Sequence, residues 1–180
     1  VDEARKLFNV CVGDQGEGAI ATLMALCLGL GASEIVDRVV RDLDDDGTVL
    51  IVPVGKTKNR VRRVELGFLG PMLAQLAEGR EAHNRLFERN RHWVLRNVKR
   101  LCRTAKVTVV DAHGLRGTQG TLSMEAGATA HLVAKQLGHG GPAVTRRHYL
   151  APGAEANRSQ RSFLRVLDGG NVGPRSPSEG

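Results

Sequence analysis

Four side chains in the last third of the chain are of types that can act on a phosphate group. They occur in the order His113, Arg116, His139 and Tyr149, and Tyr149 is the only tyrosine in the sequence. A tyrosine hydroxyl can serve as a covalent nucleophile, and the planar fork of an arginine matches two phosphate oxygens at once. His113 and Arg116 are three residues apart, so on a helix they share one face. The set suits the breaking and rejoining of a phosphodiester without metal or ATP.

Glycines around the second histidine predict how it is held. Gly138 precedes His139, and Gly140-Gly141-Pro142 follows it, a pattern that ends one helix and starts another. Tyr149 lies 10 residues beyond His139, near the end of a short helix or turn. Zinc binding is a weaker interpretation, because the histidines lack the close pairs of a zinc site and the three cysteines are scattered. We expect no metal and no cofactor.

These residues resemble the motifs of the tyrosine recombinase (phage integrase) family. His113-Gly-Leu-Arg116, Leu137-Gly-His139 and Tyr149 match the family's H-x-L-R, L-G-H and final tyrosine, in order and with nearly its spacing. The resemblance implies that Tyr149 attacks a DNA phosphate and forms a 3′-phosphotyrosyl link, with His113 helping to accept the proton. It also implies that Arg116 and His139 stabilise the phosphate.

The first half of the chain agrees with the family except at one position. The family motif T-G-L-R-x-x-E-L appears as Leu-Gly-Leu-Gly-Ala-Ser-Glu-Ile, and Gly31 stands where the first phosphate-binding arginine belongs. Losing one preorganised donor costs on the order of 10²- to 10³-fold in rate, and a charged arginine can be worth on the order of 10³ to 10⁵. Three origins stay open: a natural degenerate copy, an engineered change, or an active variant in which Arg38, Arg60 or Arg62 replaces the arginine.

A β-hairpin with a basic tip is predicted in the middle of the chain. The β-branched runs 48–54 and 60–66 predict two antiparallel strands. Lys56 stands just before the Thr-Lys-Asn turn between them, and the resemblance implies that it protonates the departing 5′ hydroxyl. Lys58 is the local alternative for this role, and a solvated, charged hairpin is the simpler interpretation of the residues alone.

The net charge of +7 is unevenly distributed. Residues 1–54 hold 4 Lys/Arg against 10 Asp/Glu, whereas residues 55–109 hold 14 against 4. Such a basic surface binds phosphate backbones by counterion release, and the few aromatic residues disfavour stacking on single strands. Double-stranded DNA is therefore the predicted partner. The DNA-binding candidates are Lys58, Arg60, Arg62, Arg91, Arg96, Lys99, Arg100, Arg146 and Arg147.

The pattern of elements predicts a mainly α-helical domain with a small antiparallel sheet, the fold that the resemblance also implies. The domain is expected to cover residues 1–168, and residues 169–180 form a small, polar tail that we expect to be disordered. The predicted helices cover residues 2–11, 18–40 with a bend near Gly29 to Gly31, 71–77, 90–105, the segment of His113, 132–137 and 154–167. Residues 42–47 are predicted to form a turn and residues 107–110 a short extended segment.

Other features bear on the setting of the protein. The chain begins at Val1, which suggests a fragment or a processed product, and nothing in it corresponds to the helical core-binding domain of full-length relatives. The resemblance implies a homo-oligomer on DNA, in which the segment after Tyr149, with the predicted helix at residues 154–167, docks on a neighbouring protomer. Unpaired cysteines indicate the cytoplasm. Residues 18–33 are uncharged but too short for a typical membrane span, which favours a buried helix.

Three functions are compatible with the sequence. The leading hypothesis is the catalytic domain of a site-specific tyrosine recombinase that integrates or excises mobile DNA. The second is a DNA-binding relative that the glycine at position 31 has disabled. The third is an enzyme similar to type IB topoisomerases, which would relax supercoils.

Overall fold

The computed structural model describes residues 1–44, 46–53 and 61–138. Several predicted features fall outside these residues and stay predictions, among them the helix at residues 154–167 and the tail. The site candidates that lie outside the described residues are Lys56, Lys58, Arg60, His139, Arg146, Arg147 and Tyr149.

Helices dominate the described residues, and one antiparallel sheet accompanies them. The elements are α1 Asp2–Asp14, α2 Glu17–Leu28, α3 Ala32–Val36, a 3-10 helix Val40–Asp42, β1 Leu43–Asp44, β2 Val49–Pro53, β3 Val61–Glu65, α4 Leu69–Ala77, α5 Arg91–Thr104, α6 Ala112–Glu125 and α7 Ala130–Leu137. The predicted fold class, mainly α with a small antiparallel sheet, is confirmed.

The predicted buried helix over residues 18–40 is divided into two helices. α2 ends at Leu28 because Gly29 adopts the left-handed conformation, with φ 66° and ψ 31°. The chain is then extended at Gly31, with φ −74° and ψ 158°, and α3 follows. The bend near Gly29 to Gly31 is confirmed, but α3 already ends at Val36, so the prediction of helix as far as residue 40 was wrong.

The sheet has the order β1-β2-β3, with both pairs antiparallel. The two predicted strands are confirmed as β2 and β3. The segment 42–47 is not only a turn, however, because Leu43 and Asp44 pair with β2 as a third strand. Burial along β3 alternates, and Arg62 and Val64 face the interior while their neighbours face solvent. This alternation decides where the side chain of Arg62 lies.

Helix α2 lies at the centre of the packing, in contact with α1, α4, α5 and α6. Its side chains are buried on almost every face, as the uncharged run predicts. Burial raises the pKa of Cys11 to about 12 and that of Cys27 to about 11, which keeps both thiols neutral. Within the described part of the chain, no helix is both long and apolar enough to cross a membrane.

Several helix boundaries differ slightly from the predictions. α1 continues past residue 11 to Asp14, α4 begins two residues before Pro71, and α7 begins at Ala130, after its N-cap Thr129. Residues 107–110 form no strand. The basic helix α5 lies within one residue of its predicted ends, and it buries Val94 and three other apolar side chains on its inner face.

We expect Asn90→Ala to lower the free energy of unfolding by about 1 kcal/mol. The Asn90 side chain accepts a hydrogen bond from the Trp93 amide at 3.0 Å, and this amide lies in the first turn of α5, where it also donates to the Asn90 carbonyl at 3.0 Å. Denaturant unfolding followed by circular dichroism measures the loss. Asn90→Ser keeps a capping oxygen and should remain close to the unmodified protein. Equal losses in the two variants would contradict the capping role.

Candidate active site

Helix α6 carries two of the predicted catalytic residues. Asp111 caps its N-terminus by accepting a hydrogen bond from the Gly114 amide at 2.9 Å. His113 lies in the first turn and is exposed, and Arg116 follows one turn later with a partly buried side chain. The sequence therefore placed His113 and Arg116 correctly on one helix.

Arg116 is held by acceptors from three separate segments. Its Nη1 donates to the Gly29 carbonyl at 2.9 Å and to Glu34 Oε2 at 2.8 Å. Its Nη2 donates to the Leu137 carbonyl at the end of α7. These bonds tie α6 to the end of α2, to α3 and to α7, so the guanidinium has one defined position. Among the described residues, no group accepts a hydrogen bond from its Nε, and Nη2 has a single acceptor for its two N–H groups.

Glu34 is the common acceptor of the site. Its Oε2 accepts the bond from Arg116 and another from the Gly31 amide at 2.8 Å, and its Oε1 lies 3.0 Å from Arg62 Nη2. One carboxylate thus binds two guanidinium groups and the first amide of the α3 cap. In the sequence, Glu34 matched the family motif but was assigned no role. Its position three residues after Gly31, where capping glutamates occur, was the available signal.

Arg62 lies inside the protein, with only 7% of its surface exposed. Its Nη1 donates to the Leu137 carbonyl at 2.6 Å, so Arg62 and Arg116 share that acceptor as well as Glu34. Its guanidinium also occupies the space in which a side chain at Gly138 would begin. The sequence grouped Arg62 with the DNA contacts, whereas the structure directs it at protein acceptors.

The guanidinium of Arg62 is not fully satisfied by these contacts. Among the described residues, no acceptor is aligned with its buried Nε and Nη2, and the 3.0 Å approach of Nη2 to Glu34 is an ion pair. Burial lowers the pKa of Arg62, while the negative charge of Glu34 opposes that change. The pair therefore depends on electrostatic attraction more than on hydrogen bonding.

Position 31, where the first arginine is missing, borders this cluster. A β-carbon added to Gly31 would meet Glu34 Oε2 at 3.5 Å, which is ordinary van der Waals contact. The backbone angles there suit any L-amino acid. A side chain at position 31 would thus begin beside the carboxylate that binds Arg116.

Arg38 was one of the candidates to replace the missing arginine, and its donors are used elsewhere. It is buried, and it donates to Asp42 Oδ2 at 2.9 Å and to the carbonyls of Glu34 at 2.8 Å and Ile51 at 3.0 Å. Of the three candidates, Arg60 lies outside the described residues. Arg62 shares both Glu34 and the Leu137 carbonyl with Arg116.

A basic surface lies on α5. The outward side chains of this helix, Arg91, Arg96, Lys99 and Arg100, are exposed as predicted. Arg100 approaches Asp14 Oδ2 at 3.3 Å. Within the part of the chain that the structure describes, no group of three or more His, Cys, Asp or Glu side chains could hold a metal ion.

Comparison with known proteins agrees with the motifs. The model of the phage integrase family matches residues 1–155. A "Tyrosine recombinase XerD-like" protein of Streptococcus thermophilus (strain CNRZ 1066) is 30% identical over 144 residues, which cover 79% of this chain and 56% of the relative. The chain thus spans little more than half the length of this curated relative.

Solved structures share the fold. The XerA recombinase superimposes with a TM-score of 0.72 at 20% identity, over 91% of this chain and 63% of that one. The Tn1549 transposon integrase, solved in complex with transposon right end DNA, gives a TM-score of 0.66 at 18% identity, over 87% of this chain and 63% of that one. Since the family model covers most of the sequence and the fold agrees, this chain belongs to the phage integrase family, with the catalytic-domain fold of tyrosine recombinases.

Proposed function

We propose that this chain is the catalytic domain of a site-specific tyrosine recombinase that cuts and rejoins double-stranded DNA. The observation that carries the proposal is the fixed position of Arg116. The acceptors in the protein engage both N–H groups of Nη1 and one of Nη2. Among the described residues Nε has no acceptor and Nη2 has one acceptor for its two N–H groups, so the guanidinium keeps donors that phosphate oxygens can accept from. Donors fixed before the reaction are what a phosphate transition state requires.

In the proposed reaction, the Tyr149 hydroxyl oxygen attacks the scissile phosphorus. A bond forms between that oxygen and phosphorus, and the bond from phosphorus to the 5′ oxygen breaks. His113 helps to accept the tyrosine proton, and Lys56 gives a proton to the departing 5′ oxygen. Arg116 and His139 stabilise the phosphate. Attack by a 5′ hydroxyl on the phosphotyrosine reverses the step and rejoins the strand, so the bond energy is conserved without a cofactor.

The proposed partner is duplex DNA. Its support is the exposed basic face of α5 and the structure of the Tn1549 integrase in complex with transposon right end DNA. We also propose self-association on DNA through the C-terminal segment 151–180. If a chain lacking residues 151–180 assembled on DNA as the complete chain does, this part of the proposal would be wrong.

The second candidate is a DNA-binding relative without cleavage activity. Gly31 favours it, because one of the two expected phosphate-binding arginines is absent. Capture of covalent adducts separates the two candidates, since a protein that only binds DNA leaves none. Relaxation of supercoiled plasmid without a specific site would favour the topoisomerase-like alternative.

The test uses a pool of nicked duplexes of randomised sequence that carry sulfur in place of the bridging 5′ oxygen at the cleavage position. The sulfur leaves without a proton and does not rejoin, so adducts accumulate even if Lys56 is poorly placed. We expect an adduct that survives denaturation, with the DNA linked to Tyr149 in the tryptic peptide. Tyr149→Phe is the negative control. DNA binding without an adduct would overturn the proposal in favour of the second candidate.

A further inference from the structure

The cluster around Glu34 contains more positive than negative charge. Glu34 contributes one carboxylate, and Arg62 and Arg116 contribute two guanidinium groups in direct contact with it. The sum of these three groups is one positive charge. Without Arg62, Glu34 and Arg116 would form a neutral pair, and the attraction of Arg116 for a DNA phosphate would be largely cancelled.

The glycine at position 31 increases the importance of Arg62. An arginine at position 31 would begin beside the same carboxylate and would supply a second cation of its own. With glycine there, Arg62 and Arg116 are the cations that the described residues bring to the Glu34 carboxylate. Arg38, the nearby alternative, is bound to Asp42.

We propose that Arg62 is a positioning residue that neutralises Glu34 and thereby leaves the charge of Arg116 available to the scissile phosphate. The inference rests on the proposed function, because it concerns the same site. Its burial prevents Arg62 from serving as an ordinary surface contact to DNA. Its bond to the Leu137 carbonyl, which Arg116 also binds, places it in contact with the turn at Gly138, immediately before His139.

The experiment compares Arg62→Met with the double variant Arg62→Met/Glu34→Gln. We expect Arg62→Met to slow adduct formation by about 100-fold on the sulfur-containing duplex pool, the loss typical of one transition-state donor. The double variant removes the carboxylate charge that Arg62 neutralised, while its amide oxygen can still accept from Gly31 and Arg116. We expect it to recover to within about 10-fold of the unmodified rate. Arg62→Lys keeps the charge and should lose less than Arg62→Met.

Arg63→Met is the matched control. It removes the neighbouring arginine of β3, which faces outward and contacts Asp44, and its rate should match that of the unmodified chain. Circular dichroism at the assay temperature confirms that each variant is folded. The inference is overturned if the double variant is no faster than Arg62→Met, which is the result of a purely structural role, or if Arg62→Met is as fast as the unmodified chain.

A second readout keeps the inference testable when no adduct forms. The logarithm of the affinity for a random duplex pool falls with the logarithm of salt concentration, by about 0.9 for each phosphate contact. We expect this slope to be about 0.9 smaller in Arg62→Met than in Arg63→Met, and restored in the double variant. Absence of an adduct in the unmodified chain would contradict the proposed function alone. Equal salt dependences of DNA affinity in Arg62→Met and Arg63→Met would contradict the inference.

Discussion

Arg116→Gln should slow adduct formation by about 10³- to 10⁵-fold, the range typical of a catalytic arginine at a phosphate. The guanidinium is fixed by bonds to Gly29, Glu34 and Leu137, so its remaining donors are positioned before DNA binds. Glutamine cannot supply either the charge or the paired donors. Single-turnover adduct formation on the sulfur-containing duplex pool measures the effect, with Tyr149→Phe as the background.

A neutral substrate distinguishes a catalytic role of Arg116 from a structural one. A methylphosphonate at the cleavage position lacks one anionic oxygen, so its transition state has less need of a cation. The deficit of Arg116→Gln should therefore be much smaller on this duplex than on the phosphate duplex. If the deficit were the same on both substrates, Arg116 would be holding the fold together and not stabilising phosphate charge. Arg116→Lys keeps the charge without the paired donors and should be intermediate.

The sequence predicted best those elements whose signals are local. Helix α5 lies within one residue of its predicted ends, because Asn90 is a favourable N-cap and the apolar residues recur at helical spacing. The β-branched runs likewise predicted β2 and β3. The short strand β1 escaped prediction since Leu43 and Asp44 adjoin an acidic turn and pair only through contact with β2. Two residues of strand carry too little pattern to be recognised.

The candidate site depends on contacts that no local pattern contains. Glu34 and Arg116 are 82 positions apart, and Arg62 and Leu137 are 75 apart. The motifs indicated Arg116, but only the fold reveals that Glu34 joins it to Arg62. For Arg62 a local signal did exist. Arg62, Val64 and Leu66 are two residues apart in turn, so in a strand their side chains lie on the same face, and the buried Val64 and Leu66 identify it as the inner one. The density of positive charge in the segment instead suggested a surface position.

Gly31→Arg should accelerate adduct formation by about 10²- to 10³-fold, the contribution typical of one preorganised donor. The extended backbone at position 31, with φ −74°, accepts an L-side chain without strain. Its β-carbon would lie 3.5 Å from Glu34 Oε2. The hydrogen bond to Glu34 comes from the backbone N–H of residue 31, so an added side chain leaves this bond in place. The new guanidinium would therefore begin beside the carboxylate that already binds Arg116.

The matched control is Gly31→Gln, which adds a side chain of similar reach without charge and should give no comparable gain. If both variants were faster, relief of glycine flexibility and not positive charge would be the cause. Combination with Arg62→Met extends the test, because an arginine at position 31 supplies a cation to the same carboxylate. Gly31→Arg should thus reduce the deficit of Arg62→Met. Equal deficits in the two backgrounds would mean that Arg62 and an arginine at position 31 act on different features of the site, and that the charge of Glu34 does not link them.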